Sequence, residues 1–202
     1  MMKILLTAFD PFGGESVNPA ALAAAGAEAP AGAELYRLEV PTVFGRSVET
    51  AVKKIRELRP DAVICVGQAG GRSTVTPERV AINLMDASIP DNAGNQPVDE
   101  PVVPGGENAL FSTLPVKAIT EAIRKAGVPA QLSNTAGTFV CNQLLYGVLH
   151  FCREKNLHTR ACFIHVPYLP EQAVKKPGMP GMPLSQMITA LNAALACIEE
   201  TE

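Results

Sequence analysis

The stretch Ala62-Val63-Ile64-Cys65-Val66, closed by Gly67, is apolar at every position and too short for a helix of ordinary length. An unbroken run of this kind is read as a strand covered on both faces, which only a sheet sandwiched between helices provides. Upstream, Val48, Ala51, Val52, Ile55 and Leu58 recur at helical spacing up to Pro60. Further back, Leu35–Val43 reads as a strand. Asn18-Pro19 starts a helix that runs to about Ala27, with Asn as cap and Pro at the first helical position. Lys3–Phe9 is a buried strand leading into the loop Asp10-Pro11-Phe12-Gly13-Gly14. Downstream, 79–84 reads as a strand. The segment 85–106 carries Pro90, Pro97, Pro101 and Pro104 without periodicity, and long irregular stretches of this kind often carry function. A helix around Val116–Ile123, a strand over 130–135, an apolar helix from about Phe139 to Lys155, a strand over Arg160–Val166 and a last helix over Leu184–Ile198 complete the order.

Alternating strands and helices predict an α/β fold: a three-layer α/β/α sandwich on a mainly parallel, twisted sheet. No repeat or linker divides the chain, so residues 1–202 are read as a single α/β domain. The bulk properties agree. The chain has 202 residues, 47% hydrophobic and only 18% charged, with a net charge of −3. Without a basic stripe, nucleic acid is not an expected partner. No segment is long and apolar enough for a spanning helix, and the start lacks a signal-peptide pattern, so no membrane association and a cytosol-like compartment are expected. The odd number of cysteines, five, fits reduced thiols.

In open α/β sheets, ligands collect beyond the carboxyl ends of the strands. The residues there are Asp10–Gly14, Gly67–Arg72, Ala136–Cys141 and His165–Tyr168. Cys65 and Cys162 lie in strands and Cys152 and Cys197 in helices, where a cysteine is usually a small buried hydrophobe. Cys141 differs. With Thr138 as a cap it falls in the first turn of its helix, where the helix dipole favours thiolate. An imidazole base is then needed. His150 falls on the opposite helix face at about 100° per residue, and His158 sits in a polar turn. His165, ending the next strand, is left. Its orienting acid stays open among Glu78, Asp86, Asp91 and Asp99. No metal-ligand spacing is present, so no metal is expected. The Gly67–Arg72 loop lacks the glycine spacing of phosphate loops and reads as a turn that brings backbone close to a ligand.

Six motifs resemble the pyroglutamyl peptidase I family. They are Leu6–Gly14 (LTAFDPFGG), Val66–Arg72 (VGQAGGR), Thr76–Asn83 (TPERVAIN), Ile89–Asn92 (IPDN), Thr135–Asn142 (TAGTFVCN) and Ile164–Gln172 (IHVPYLPEQ). The resemblance implies a cytoplasmic cysteine exopeptidase that removes N-terminal pyroglutamate from peptides. It needs no cofactor and commonly forms a homotetramer. It selects Glu78 as the acid beside Cys141 and His165. It implies a lactam pocket with Phe9 and Phe12 clamping the ring and Thr42, Gln68, Ile89, Phe139 and Val140 nearby, and backbone N–H groups around Cys141 as oxyanion donors. One position departs from the pattern. Family members often carry arginine just before Ile-Pro-Asp-Asn, and this chain has Ser88. The resemblance therefore also admits a weakly active or merely binding homologue, with Arg72 or Arg79 as substitute donors. Two further rivals are a phosphorylase-like enzyme, which would depend on phosphate and not on the Cys141 thiol, and a thiol sensor. The sensor would need a resolving cysteine, and Cys152 lies roughly 16 Å along the helix from Cys141.

Overall fold

A computed structural model describes residues 1–199; residues 200–202, the end of the expected domain, lie outside the described residues. The elements run β1 (Met2–Phe9), α1 (Pro19–Gly26), β2 (Ala33–Val40), α2 (Arg46–Leu58), β3 (Ala62–Gln68), β4 (Thr76–Glu78), β5 (Val80–Ile82), β6 (Ala109–Phe111), α3 (Val116–Lys125), α4 (Val140–Glu154), β7 (Arg160–Val166), α5 (Pro170–Ala173) and α6 (Leu184–Glu199). The main sheet has the order β2-β1-β3-β7-β4; only β4 is antiparallel. β3 is buried at all seven positions, as its unbroken apolar run requires.

Side-chain alternation divides the core into two layers. Ile4 and Leu6 of β1, Ile64 and Val66 of β3, and Cys162 and Ile164 of β7 pack under α1, α3 and α6. Leu5 and Phe9, Val63 and Cys65, and Ala161 and Phe163 pack under α2 and α4. The fold is thus an α/β/α sandwich on a mainly parallel sheet. The same period of two puts His165, two residues beyond Phe163, on the α4 side of β7.

Four expectations need correction. β2 ends at Val40, because Pro41 opens a loop that side chains of other segments hold. The 79–84 strand is shorter; β5 leaves the main sheet and pairs with β6 in a two-stranded ribbon. β4 precedes it and contains Pro77, tolerated because β4 is the last strand in the sheet. Residues 130–135 form no regular strand and touch β4's segment through isolated bridges, Val75 with Ala130 and Glu78 with Ser133. Finally, Thr138 does not cap α4. The flanking residue is Phe139, with no side-chain cap bond, and the Thr138 hydroxyl donates to the Asp86 carbonyl at 2.7 Å. Cys141 still falls in the first helical turn. No helix among the described residues is long and apolar enough to cross a membrane.

Candidate active site

β1 lies between β2, which follows it, and β3, which follows β2, so the chain reverses direction across the sheet there. Such a switch point opens a crevice at the carboxyl ends of the strands. β3 reaches it with Gly67, whose register partner on β7 is His165. Gly67 faces α4 and leaves room for the first turn of that helix. A Cβ added to Gly67 would stand 2.9 Å from Cys141 Sγ and 2.7 Å from the Phe163 ring. The missing side chain is therefore what seats the thiol beside the strand that carries His165. Gly67→Ala is expected to displace Cys141 and lower kcat/KM at least tenfold, with stability falling by about 1–3 kcal/mol. Steady-state kinetics with a melting curve checks both.

His165 is buried, and its ring stacks obliquely on Phe163 with centroids 4.6 Å apart. Its Nδ1 lies 2.7 Å from Glu78 Oε1. Glu78 is 0% exposed and reaches His165 because β4 runs antiparallel beside β7. Arg72 Nη1 donates to the same Oε1 at 2.5 Å and to the Thr76 hydroxyl at 2.5 Å, and Nη2 donates to the Thr135 carbonyl at 3.0 Å. Of the four acids that sequence left open, Glu78 is the one in contact with His165. Asp86 is exposed, and Asp91 does other work. His158 is exposed, and His150 stacks on Tyr146.

The electrostatics differ from the expectation that a helix start favours thiolate. Burial pushes the Cys141 thiol up to about 12, and the Glu78 charge pushes the same way. Arg72 and the residue's own backbone N–H pull down more weakly. Burial also lowers His165 below its ordinary value, against the Glu78 hydrogen bond and charge, while Arg72 adds to the lowering. The resting pair is therefore a thiol and a neutral imidazole.

An aromatic group stands at the mouth. Phe12 and Phe139, both half-buried, lie 6.2 Å apart between centroids, and Phe44 meets Phe139 edge-on at 5.3 Å. Phe44 was not anticipated. Phe9, expected as half of a clamp, is only 2% exposed and packs at 6.4 Å against Phe163, so it lies beneath the site. Ile89 is 44% exposed and Ser88 lies on an exposed bend, while Val140 and Thr42 are buried. Gln68 Oε1 accepts from Gln172 at 3.1 Å, joining β3 to α5.

Two aspartates fix the loops bearing these rings. Asp10 Oδ1 accepts the Thr42 N–H at 2.7 Å, and its carbonyl accepts Thr42 Oγ1 and Asn18 Nδ2. Asp91 accepts from the backbone of Phe44, Ala93 and Asn95, and from the Asn95 amide. Burial opposes the Asp91 charge, yet these hydrogen bonds outweigh it and hold the carboxyl below its usual range. Asn142 ties the first turn of α4 to residues 82–84 by three bonds of 2.9–3.0 Å.

An α/β/α fold with a thiol at a helix start, beside a strand whose imidazole meets a buried carboxylate, has the make-up of a cysteine peptidase. A family model described as Pyroglutamyl peptidase matches residues 2–201. The chain is 54% identical over 198 residues to pyrrolidone-carboxylate peptidase 1 of Caldanaerobacter subterraneus, covering 98% of each. It is 52% identical to the pyrrolidone-carboxylate peptidase of Clostridium perfringens, covering 98% of this chain and 93% of that protein. The crystal structure of pyroglutamyl peptidase I from Bacillus amyloliquefaciens superposes with a TM-score of 0.94 at 47% identity, covering 99% of this chain and 98% of that one. This chain belongs to the pyroglutamyl peptidase family of cysteine peptidases.

Proposed function

We propose that this enzyme hydrolyses the bond after an N-terminal pyroglutamyl residue, with Cys141 as nucleophile, His165 as base and then acid, and Glu78 as orienting acid. The observation that carries the reading is the 2.7 Å contact between His165 Nδ1 and Glu78 Oε1, on the strand partner of the glycine that seats the thiol. Nδ1–H donated to Glu78 leaves Nε2 as the free base. Because both partners rest neutral, Nε2 takes the thiol proton as Sγ attacks the carbonyl carbon. The N–H groups at the start of α4, which has no side-chain cap, are offered to the developing oxyanion. Imidazolium then protonates the departing amine, and water, deprotonated by His165, hydrolyses the thioester. No cofactor takes part.

Phe12, Phe139 and Phe44 suit a flat uncharged lactam, with Phe9 and Val140 beneath and Thr42, Gln68 and Ile89 at the margins. A glutamyl end would bring charge into an apolar pocket, which is costly. Nothing among the described residues favours a binding-only protein. Family resemblance further proposes a cytoplasmic homotetramer, for which light scattering is the check of assembly.

Iodoacetamide is expected to label Cys141 and abolish turnover, with a pyroglutamyl ligand slowing the labelling. With the thiol near 12, the labelling rate should climb steadily with pH through the alkaline range. A plateau starting at neutral pH would contradict the neutral resting pair. The lowered His165 sets a second expectation. The acid limb of kcat/KM should fall below pH 6.5, the ordinary imidazole value. The unfolded chain binds that proton more tightly than the folded one, so stability should also fall as pH drops through the same window.

A further inference from the structure

We propose that Arg72 is a positioning residue of the peptidase reaction, holding the Glu78 carboxylate in the place from which it orients His165. The inference rests on the triad reading above and extends it by a fourth side chain.

The loop after β3 is built to return this guanidinium to the sheet. Gly70 lies flat against Tyr168; a Cβ there would stand 2.1 Å from the phenolic oxygen. Gly71 has φ of +88°, a conformation that side chains rarely adopt. The Arg72 N–H then bonds back to the Ala69 carbonyl at 3.3 Å, closing a turn that aims the side chain at β4. The guanidinium ends on three acceptors from different segments: Glu78 Oε1, Thr76 Oγ1 and the Thr135 carbonyl. The fork geometry of arginine spans these, and the single ammonium of lysine cannot.

Glu78 needs such a partner. Both of its contacts, His165 and Arg72, fall on Oε1, and Oε2 is buried without a partner. A carboxylate so buried is costly unless a cation accompanies it. His165 cannot be that cation and also be the neutral base. Arg72 supplies that positive charge through Nη1 on Oε1, so the cation beside the carboxylate is the guanidinium and His165 is left as the neutral base. The arginine is therefore committed to the acid, which answers its earlier candidacy as a substitute oxyanion donor.

The charged groups that act on His165 are Glu78 from β4 and Arg72 from the loop after β3, while the Cys141 thiol of α4 lies beside Gly67, the register partner of His165. Of these, Glu78 favours the imidazolium and Arg72 opposes it. Removing the Arg72 charge should therefore move the acid limb of kcat/KM to higher pH. A purely structural loss would lower the rate without moving the limb.

The test is the pH profile of kcat/KM for wild type, Arg72→Met and Arg72→Lys on a pyroglutamyl fluorogenic substrate, with Cys141→Ser in parallel. Arg72→Met is expected to lose roughly 10–100-fold in kcat, as outer partners of an oriented imidazole do, with KM little changed and the acid limb raised. Arg72→Lys should keep the limb close to wild type while losing part of the rate, since charge survives and the fork does not. An Arg72→Met enzyme with the wild-type limb overturns the proposal. If that variant does not fold, Arg72→Lys with wild-type kcat overturns it instead. Silence of Cys141→Ser beside an Arg72→Met enzyme of wild-type profile would sink the Arg72 role alone. Full activity in Cys141→Ser would sink the triad reading first.

Discussion

Cys141→Ser is expected to lower kcat/KM for pyroglutamyl-aminomethylcoumarin by roughly 10⁴-fold or more while leaving the fold intact. The thiol already starts at a disadvantage, since burial holds its proton up to about 12. It is nevertheless a far stronger acid than an alcohol, and its sulfur reaches further. A neutral His165, weakened as a base by burial, can draw a proton from a thiol during attack but has little hold on a serine hydroxyl. The seat is also shaped for sulfur, with Gly67 and Phe163 closing around it. Serine fills that space incompletely, and its oxygen falls short of the carbonyl. The melting temperature should stay near that of wild type, because one isosteric atom changes. A folded serine variant with more than about a tenth of wild-type activity would remove Cys141 from the nucleophile's role.

Glu78→Gln should cost about 10³–10⁴-fold in kcat with little change in KM, since the acid touches His165 and not the substrate. The amide retains the shape of the carboxylate but has one oxygen, and Arg72 and His165 both need Oε1. If Arg72 takes it, the amide N–H₂ turns to the imidazole and selects the wrong tautomer. Stability should fall by about 1–3 kcal/mol, moderated because the Arg72 side chain is 27% exposed and can take up water. The surviving activity carries a second signature. Glu78 raises the His165 value, so its neutralisation should move the acid limb to lower pH, opposite to the shift expected for Arg72→Met. A kcat within tenfold of wild type would show that the acid does not orient the base.

What the sequence discloses and what it hides follow the range of the interactions involved. Ala62–Val66 announces a strand covered on both faces because burial acts on every residue of it. Cys141 in a first helical turn and His165 at a strand end are local patterns too, and elimination of the other two histidines pairs them. Glu78 is of another kind. Its strand has three residues, contains Pro77, and reaches His165 through antiparallel pairing across 87 positions of sequence. Four acids look equivalent by spacing, and only the family resemblance chose among them. The thiol's proton affinity was misjudged for a related reason. The helix dipole is a local effect, whereas desolvation of the half-buried thiol and the Glu78 charge are tertiary and outweigh it. Asp91 was considered only as an orienting acid, and its hold on the Phe44 loop, like Phe44 itself, was missed because it acts between segments 47 positions apart. Arg72 did leave a trace in the Gly70-Gly71-Arg72 run, where two adjacent glycines before an arginine mark a turn that must deliver a side chain to a fixed place.

The most direct test of the account is fluorophore release by wild-type enzyme from pyroglutamyl-aminomethylcoumarin against prolyl-aminomethylcoumarin. The prolyl ring lacks the lactam carbonyl and so carries a cationic amine where the lactam has a neutral amide N–H, and the comparison reads the reaction and the pocket together. The expected result is steady release from the first and a rate lower by about 10⁴-fold on the second, as for sites built around a polar group that the analogue lacks. Equal rates on both, or no release from folded protein on either, would contradict it.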